Sequence, residues 1–223
     1  MPLEIVTFVL GPVQTNAYLI ADVTSGEAAV IDPAWDGNII LAEAQKRGWR
    51  IAHLWHTHAH FDHIGGSAEI FKALTPPPQV ALHPSDRLLW SARGGAPLFG
   101  LNIPAAPKPT LALEHGQTLK LGNLTLQVRH TPGHTPGHVV FYCANAPTAL
   151  STGVCFCGDL IFAGSVGRTD LPGGNWDTLV ASIRLQIFTL PDETRLLPGH
   201  GPETTVGKEK LSNPFVGLAT DSL

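Results

Sequence analysis

The 223 residues are 43% hydrophobic and only 14% charged, which is enough chain for one compact core and too little charge for a disordered segment or a salt-bridge-laced coiled coil. A formal net charge of −4 and a pI near 6.2 remove any global electrostatic case for nucleic acid or an anionic membrane as partner. Eleven histidines stand beside 14 lysines and arginines, and such an excess of the commonest metal ligand asks for a metal or proton-transfer site.

In chain order, residues 3–10, 15–22 and 27–31 are short apolar runs parted by Gly-Pro, Gln-Thr-Asn and Thr-Ser-Gly-Glu, and they predict three strands. Asp36 opens a helix with Gly37, Ile40, Leu41 and Ala44 on one face, and Gly48 closes it. Residues 51–56 predict a strand, and 63–74 a helix carrying Ile64, Ala68 and Phe71, stopped by Pro76-Pro77-Pro78. The stretch 93–109, with Pro97, Pro104 and Pro107, shows no period, and a loop of that length is functional or mobile.

The second half repeats the order. Leu124, Leu126 and Val128 alternate with polar residues, a half-buried strand. Strands are expected over 138–143 and 154–161, the second holding Cys155 and Cys157 as buried thiols on one face. Asn175 caps a helix whose Trp176, Leu179, Val180, Ile183 and Ile187 form a core stripe, and 194–198 is the last strand. Two halves of strands followed by helices predict layered α/β, sheets inside and helices outside, with residues 1–223 as a single domain. Three cysteines cannot all pair within one chain, no basic leader precedes Glu4, and no apolar run approaches the roughly 18 residues of a membrane span. A cytoplasmic protein without a membrane partner is expected.

The chemistry concentrates at strand ends, where α/β proteins place their sites. His58-Ala59-His60-Phe61-Asp62-His63 follows the 51–56 strand. His58 and His60 are two apart, so in an extended segment both rings project to one side. Four donors within six residues exceed what one tetrahedral site with an open position holds, and the spacing suggests two metals. Thr131-Pro132-Gly133-His134, Gly158-Asp159 and Pro198-Gly199-His200-Gly201 each follow an apolar run with a glycine turn and one ligand-type side chain.

Together the HxHxDH run, the TPGH, the GD and the PGHG resemble the metallo-β-lactamase superfamily over essentially the whole chain. The resemblance implies a four-layer αββα sandwich of two mixed sheets flanked by helices. It implies one metal held by His58, His60 and His134, a second by Asp62, His63 and His200, and Asp159 between them. Gly158 to Asp170 is similar to glyoxalase II (hydroxyacylglutathione hydrolase), and Pro198 to Pro202 with Asn213-Pro214-Phe215 is similar to its single-domain relatives. In the longer enzymes a C-terminal helical domain supplies cationic contacts to glutathione, and a tyrosine follows the last ligand histidine; Gly201-Pro202 stands at the tyrosine's place here. Arg168 aligns with a basic residue that contacts glutathione there, and a loop-bracing arginine is the alternative.

Such a centre, two divalent ions with zinc first and iron or manganese as alternatives, would hold a hydroxide and cleave a small-molecule thioester, whose thiolate leaves without a strong general acid. Asp62 and Asp159 are the carboxylates expected to carry catalysis. A mononuclear iron persulfide dioxygenase of the same fold is the alternative reaction. His56, His130 and His138 are expected to pack or hydrogen-bond beside the site, and His53, His83 and His115 to be ordinary.

Overall fold

The computed structural model describes residues 3–144 and 153–218; the ends of the expected 1–223 domain lie outside the described residues. The first sheet holds β1 (Leu3–Leu10), β2 (Thr15–Asp22), β3 (Glu27–Ile31), β4 (Arg50–Trp55), β5 (Gln79–Leu82) and β6 (Leu111–Ala112), in that spatial order. Its first two pairings are antiparallel and the rest parallel. The second sheet runs β14 (Thr204–Thr205), β13 (Arg195–Pro198), β10 (Val154–Gly158), β9 (Val139–Cys143), β8 (Leu124–His130), β7 (Thr118–Leu121). It is antiparallel except where β10 meets β13. A small hairpin, β11 (Ile161–Phe162) and β12 (Ser165–Val166), stands apart.

The two-residue period of the strands sorts the core into three slabs. Tyr18 and Ile20 of β2, Ile31, Trp55, Leu126, Val128, Phe141, Phe156 and Leu197 fill the space between the sheets. The alternate residues Ala17, Leu19 and Ala21 face outward, against α1 (Gly37–Arg47) and α3 (Ser67–Ala73). On the other side Val140, Cys155, Cys157 and Leu196 pack against α5 (Trp176–Ser182) and α6 (Val206–Ser212). β2 is therefore buried on both faces, while β8 shows the expected alternation of buried Leu124, Leu126 and Val128 with exposed Thr125 and Gln127. The fold is the expected αββα sandwich of two mixed sheets.

Three expectations are corrected. The 63–74 helix is two pieces, α2 (Phe61–Ile64) and α3, broken at Gly65-Gly66. There the backbone lies on residues 33–35: a Cβ at Gly65 would stand 2.6 Å from the Ala34 carbonyl, and Gly66 N donates to Pro33 O at 2.8 Å. The 154–161 strand ends at Gly158, where a bulge and a left-handed φ of 48° turn Asp159 out of the ladder before β11 begins. In the expected stripe Leu179 of α5 and Ile183 and Ile187 of the π-helical turn that continues it are buried, but Trp176, in the first turn beside the cap, is 43% exposed against Phe215. Asn175 does cap this helix, accepting from Thr178 N at 2.9 Å. β5, β7, α4 (Arg87–Ser91) and α6 were not anticipated; they are too short for a periodic signal.

Candidate metal centre

The ends of β3, β4, β8, β10 and β13 converge on one edge of the sandwich and bring their following loops together. His58, His60 and His134 form one group, and Asp62, His63 and His200 a second, with the potential ligand atoms of each group within 4.8 Å of one another. Asp159 reaches both: Oδ1 lies 3.3 Å from His63 Nε2, and Oδ2 lies 3.5 Å from His134 Nε2 and 3.6 Å from His200 Nε2. All seven residues expected at the site are thus brought together. Asp62 Oδ2 stands 3.3 Å from His63 Nε2 and 3.2 Å from His200 Nε2.

Three of the five rings, those of His58, His63 and His134, are turned by a partner on the far side. Asp32 Oδ2 accepts from His63 Nδ1 at 3.0 Å and from Thr57 Oγ1 at 2.6 Å. With its proton given to Asp32, Thr57 Oγ1 accepts from His58 Nδ1 at 3.0 Å. His134 Nδ1 donates to the Arg168 carbonyl at 2.8 Å. These bonds put a proton on Nδ1 of His58, His63 and His134 and turn each Nε2 toward the centre. His58 Nε2, His63 Nε2 and Asp159 Oδ1 are buried without a hydrogen-bond partner, a costly arrangement unless a cation receives them. The donor set, imidazole nitrogen and carboxylate oxygen, suits divalent zinc, iron or manganese.

The electrostatics agree. Burial, reinforced by His63 and His134, holds His58 neutral well below the usual histidine range, and burial brings His60 down to about 3. Burial alone would raise the Asp62 and Asp159 carboxyls, but His63 and further neighbours outweigh it and keep both ionised. His63 goes the other way: burial opposes its charge, yet Asp62 and Asp159 raise it well above the usual range. Asp62 and Asp159 thus draw positive charge into the centre: with no ion present the proton on His63 supplies it, and a cation would take that proton's place.

Sequence reasoning missed several residues that build this geometry. Asp32 follows β3 as Asp159 follows β10, and that shared pattern of an apolar strand ending in Asp was the available signal. Thr15 Oγ1 donates to Asp62 Oδ2 at 2.8 Å, and Asn16 Nδ2 donates to the Pro198 and Gly201 carbonyls at 2.9 Å each. Tyr18 also donates to Pro198 O at 2.6 Å, so β2 clamps the His200 loop. Asp86 is fully buried and ties two ligand loops together: it accepts from Ala59 N at 3.0 Å, Thr135 Oγ1 at 2.8 Å and Gly137 N at 2.6 Å.

Of the other histidines, His138 bonds Thr131 Oγ1 at 2.9 Å and His56 bonds Ala81 O and Ser67 Oγ, as supports beside the site. His130 stacks on His83 with ring centroids 4.1 Å apart. The Arg168 guanidinium is 54% exposed on its side chain and makes two 2.7 Å bonds to Asp170, which braces the loop. No described helix is long and apolar enough to cross a membrane.

Comparison with known proteins gives the same picture. The family model of the metallo-beta-lactamase superfamily matches residues 10–200. A probable metallo-hydrolase of Bacillus subtilis is 37% identical over 211 residues, spanning 93% of this chain and 94% of its own. The hydroxyacylglutathione hydrolase GloC of Haemophilus influenzae is 34% identical over 204 residues, 91% of this chain and 93% of its own. Among solved structures, TTHA1623 in a di-iron-bound form superposes with a TM-score of 0.82 at 42% identity, covering 94% of this chain and 99% of that one.

Proposed function

The chain belongs to the metallo-beta-lactamase superfamily, and from that premise we propose that this hydrolase is a two-metal thioesterase of the glyoxalase II type. The single observation that carries the reading is Asp159, whose two oxygens face the two donor groups at 3.3–3.6 Å. His58, His60 and His134 would hold one ion, Asp62, His63 and His200 the other, and Asp159 both. Zinc is the ion proposed first; the di-iron-bound relative supports two ions and equally supports iron. When bound, such ions supply Lewis acidity and a water whose pKa falls from 15.7 to about 7.

The chain's own residues supply orientation and proton placement. Asp32, Thr57 and the Arg168 carbonyl fix the three Nδ1 protons on the outer side of the rings, so that Nε2 of each is the atom turned toward the ions. Asp62, held by Thr15, keeps its carboxylate form. Hydrolysis adds water to the thioester carbonyl carbon, breaks the C–S bond, and releases a thiol and a carboxylate with one proton. A thiol of pKa near 8.5 departs without a strong acid behind it, and among the described residues no spare ionisable acid stands beside the cluster beyond the groups already assigned. The 34% identity to a hydroxyacylglutathione hydrolase supports a thioester of a small thiol as substrate, and a cytoplasmic setting with no macromolecular partner belongs to the same proposal.

Metal analysis of the freshly purified protein alongside an S-lactoylglutathione assay tests this. Two equivalents of metal with turnover are expected, with turnover abolished in metal-saturated Asp159→Ala and one ion lost in Asp62→Ala. A single iron, no thioester cleavage and oxygen uptake with glutathione persulfide would overturn it in favour of a dioxygenase.

A further inference from the structure

Beside His60 the metal centre opens into a groove of about 570 Å³. Its walls are apolar and large: Leu88 is 86% exposed, Leu98 73% and Phe99 48%. Three such side chains held together in water, next to a reaction centre, mark a binding surface more than a packing accident.

The groove is fixed relative to the ligands. Arg93, Gly94 and Gly95 are three consecutive left-handed residues, with φ of 55°, 63° and 77°, and they fold the 93–99 segment back onto the metal-binding loop. A Cβ at Gly94 would stand 2.2 Å from Phe61 N and 2.7 Å from Ala59 O, so the two backbones are in direct contact. Across the groove, Leu171–Gly173 rests on Pro136, in the loop of His134. Both walls are thus carried by loops that present ligands.

The charge of the groove selects between the two halves of a thioester. Among the described residues no lysine or arginine lines it, and the one carboxylate, Asp86, faces inward to Ala59, Thr135 and Gly137. The Arg168 guanidinium is paired with Asp170. A carrier thiol bearing carboxylates or phosphates finds no free cation along these walls, whereas an apolar chain covers leucine and phenylalanine surface that water now wets.

We propose that this groove binds the acyl chain of the substrate and that the preferred acyl group is apolar and several carbons long. The proposal rests on the thioesterase reading above. It is tested with the acetyl, butanoyl, hexanoyl and octanoyl thioesters of N-acetylcysteamine on the metal-loaded protein. Each methylene that enters the groove is expected to raise kcat/KM by about fourfold. Leu98→Asp is expected to flatten the series, while Leu211→Asp, on the exposed side of α6, leaves it as in the wild type. A flat series in the wild type, or an unchanged slope in Leu98→Asp, overturns the proposal. If no thioester is cleaved, the function reading fails, and the groove is read separately by titration calorimetry with 1-butanol and 1-octanol. Tighter binding of octanol that Leu98→Asp abolishes upholds the apolar site; equal binding of the two alcohols, or none, overturns it.

Discussion

Asp86→Asn is the most informative single substitution, because one buried carboxylate holds two ligand loops. Its Oδ2 accepts from Ala59 N, between His58 and His60, and from Thr135 Oγ1, next to His134; its Oδ1 accepts from Gly137 N. A carboxamide has one oxygen and one NH2 group. In one orientation the NH2 faces the Gly137 N–H, and in the other it faces the Ala59 N–H, so a donor meets a donor either way. A buried donor left without an acceptor costs about 1–3 kcal/mol, and hydrogen bonds to a charged group contribute about 1.5–3 kcal/mol. Together these give a loss of roughly 2.5–6 kcal/mol. For a chain of this size that lowers Tm by roughly 5–24 °C. The same change frees the HxH loop from the TPGH loop, and lost support of this kind typically weakens metal binding about 10–100-fold. Thermal unfolding followed by circular dichroism, with a chelator competition on the folded protein, measures both. An Asp86→Asn protein with wild-type Tm and wild-type metal affinity would refute the bracing role.

Gly199→Ala places a Cβ 2.1 Å from Asp159 Oδ1 and 2.7 Å from His63 Cε1; loss of bound metal with the circular dichroism of the fold retained is expected, and unchanged metal content would count against the assigned role of Asp159. Gly122, at φ 56° between β7 and β8, has Ser25 Oγ at 2.2 Å and Asp22 Oδ2 at 2.4 Å from a built Cβ. Gly122→Ala should therefore cost about 1–3 kcal/mol in a urea titration by displacing the Asp22–Asn123 tie between the sheets, and a neutral result argues that the tie is unimportant. His83 is brought down to about 4 by burial and by its stacking partner His130. Below pH 6.5 the unfolded chain takes up a proton there that the folded chain refuses until pH 4, so stability falls as pH drops through that window. In His83→Asn, which keeps an acceptor for Ser85 N, the loss between pH 7 and pH 4.5 should be smaller than in the wild type; an equal loss refutes the assignment.

Much of the centre was legible before any fold was known, because its donors are local. His58 and His60 share a side by spacing alone, and His134, Asp159 and His200 each announce themselves as a ligand type after an apolar run and a glycine. Alternation likewise marked β8, and the short apolar run over 15–22 marked β2 as a strand. These are properties of adjacent residues, and a two-residue period survives whatever the chain packs against.

Only the tertiary structure decided which groups hold those donors. Asp32 serves His63 across 31 residues, Thr15 serves Asp62 across 47, and Asp86 reaches Thr135 across 49. A carboxylate or hydroxyl takes its role from the donor that folding brings to it: the strand-end position of Asp32 was a signal, but its partner His63 was not readable from spacing, and Thr15 and Asp86 stand in no such pattern. The break at Gly65-Gly66 and the turn at Gly158 are likewise set by what the backbone touches, the 33–35 segment and Thr57. The apolar groove is the clearest case: segment 93–99 carries no period, and it becomes a wall of the site because Gly94 lets two backbones meet. Donor identity is chemistry written in neighbouring residues; donor orientation and substrate fit are set by contacts between residues far apart in the chain.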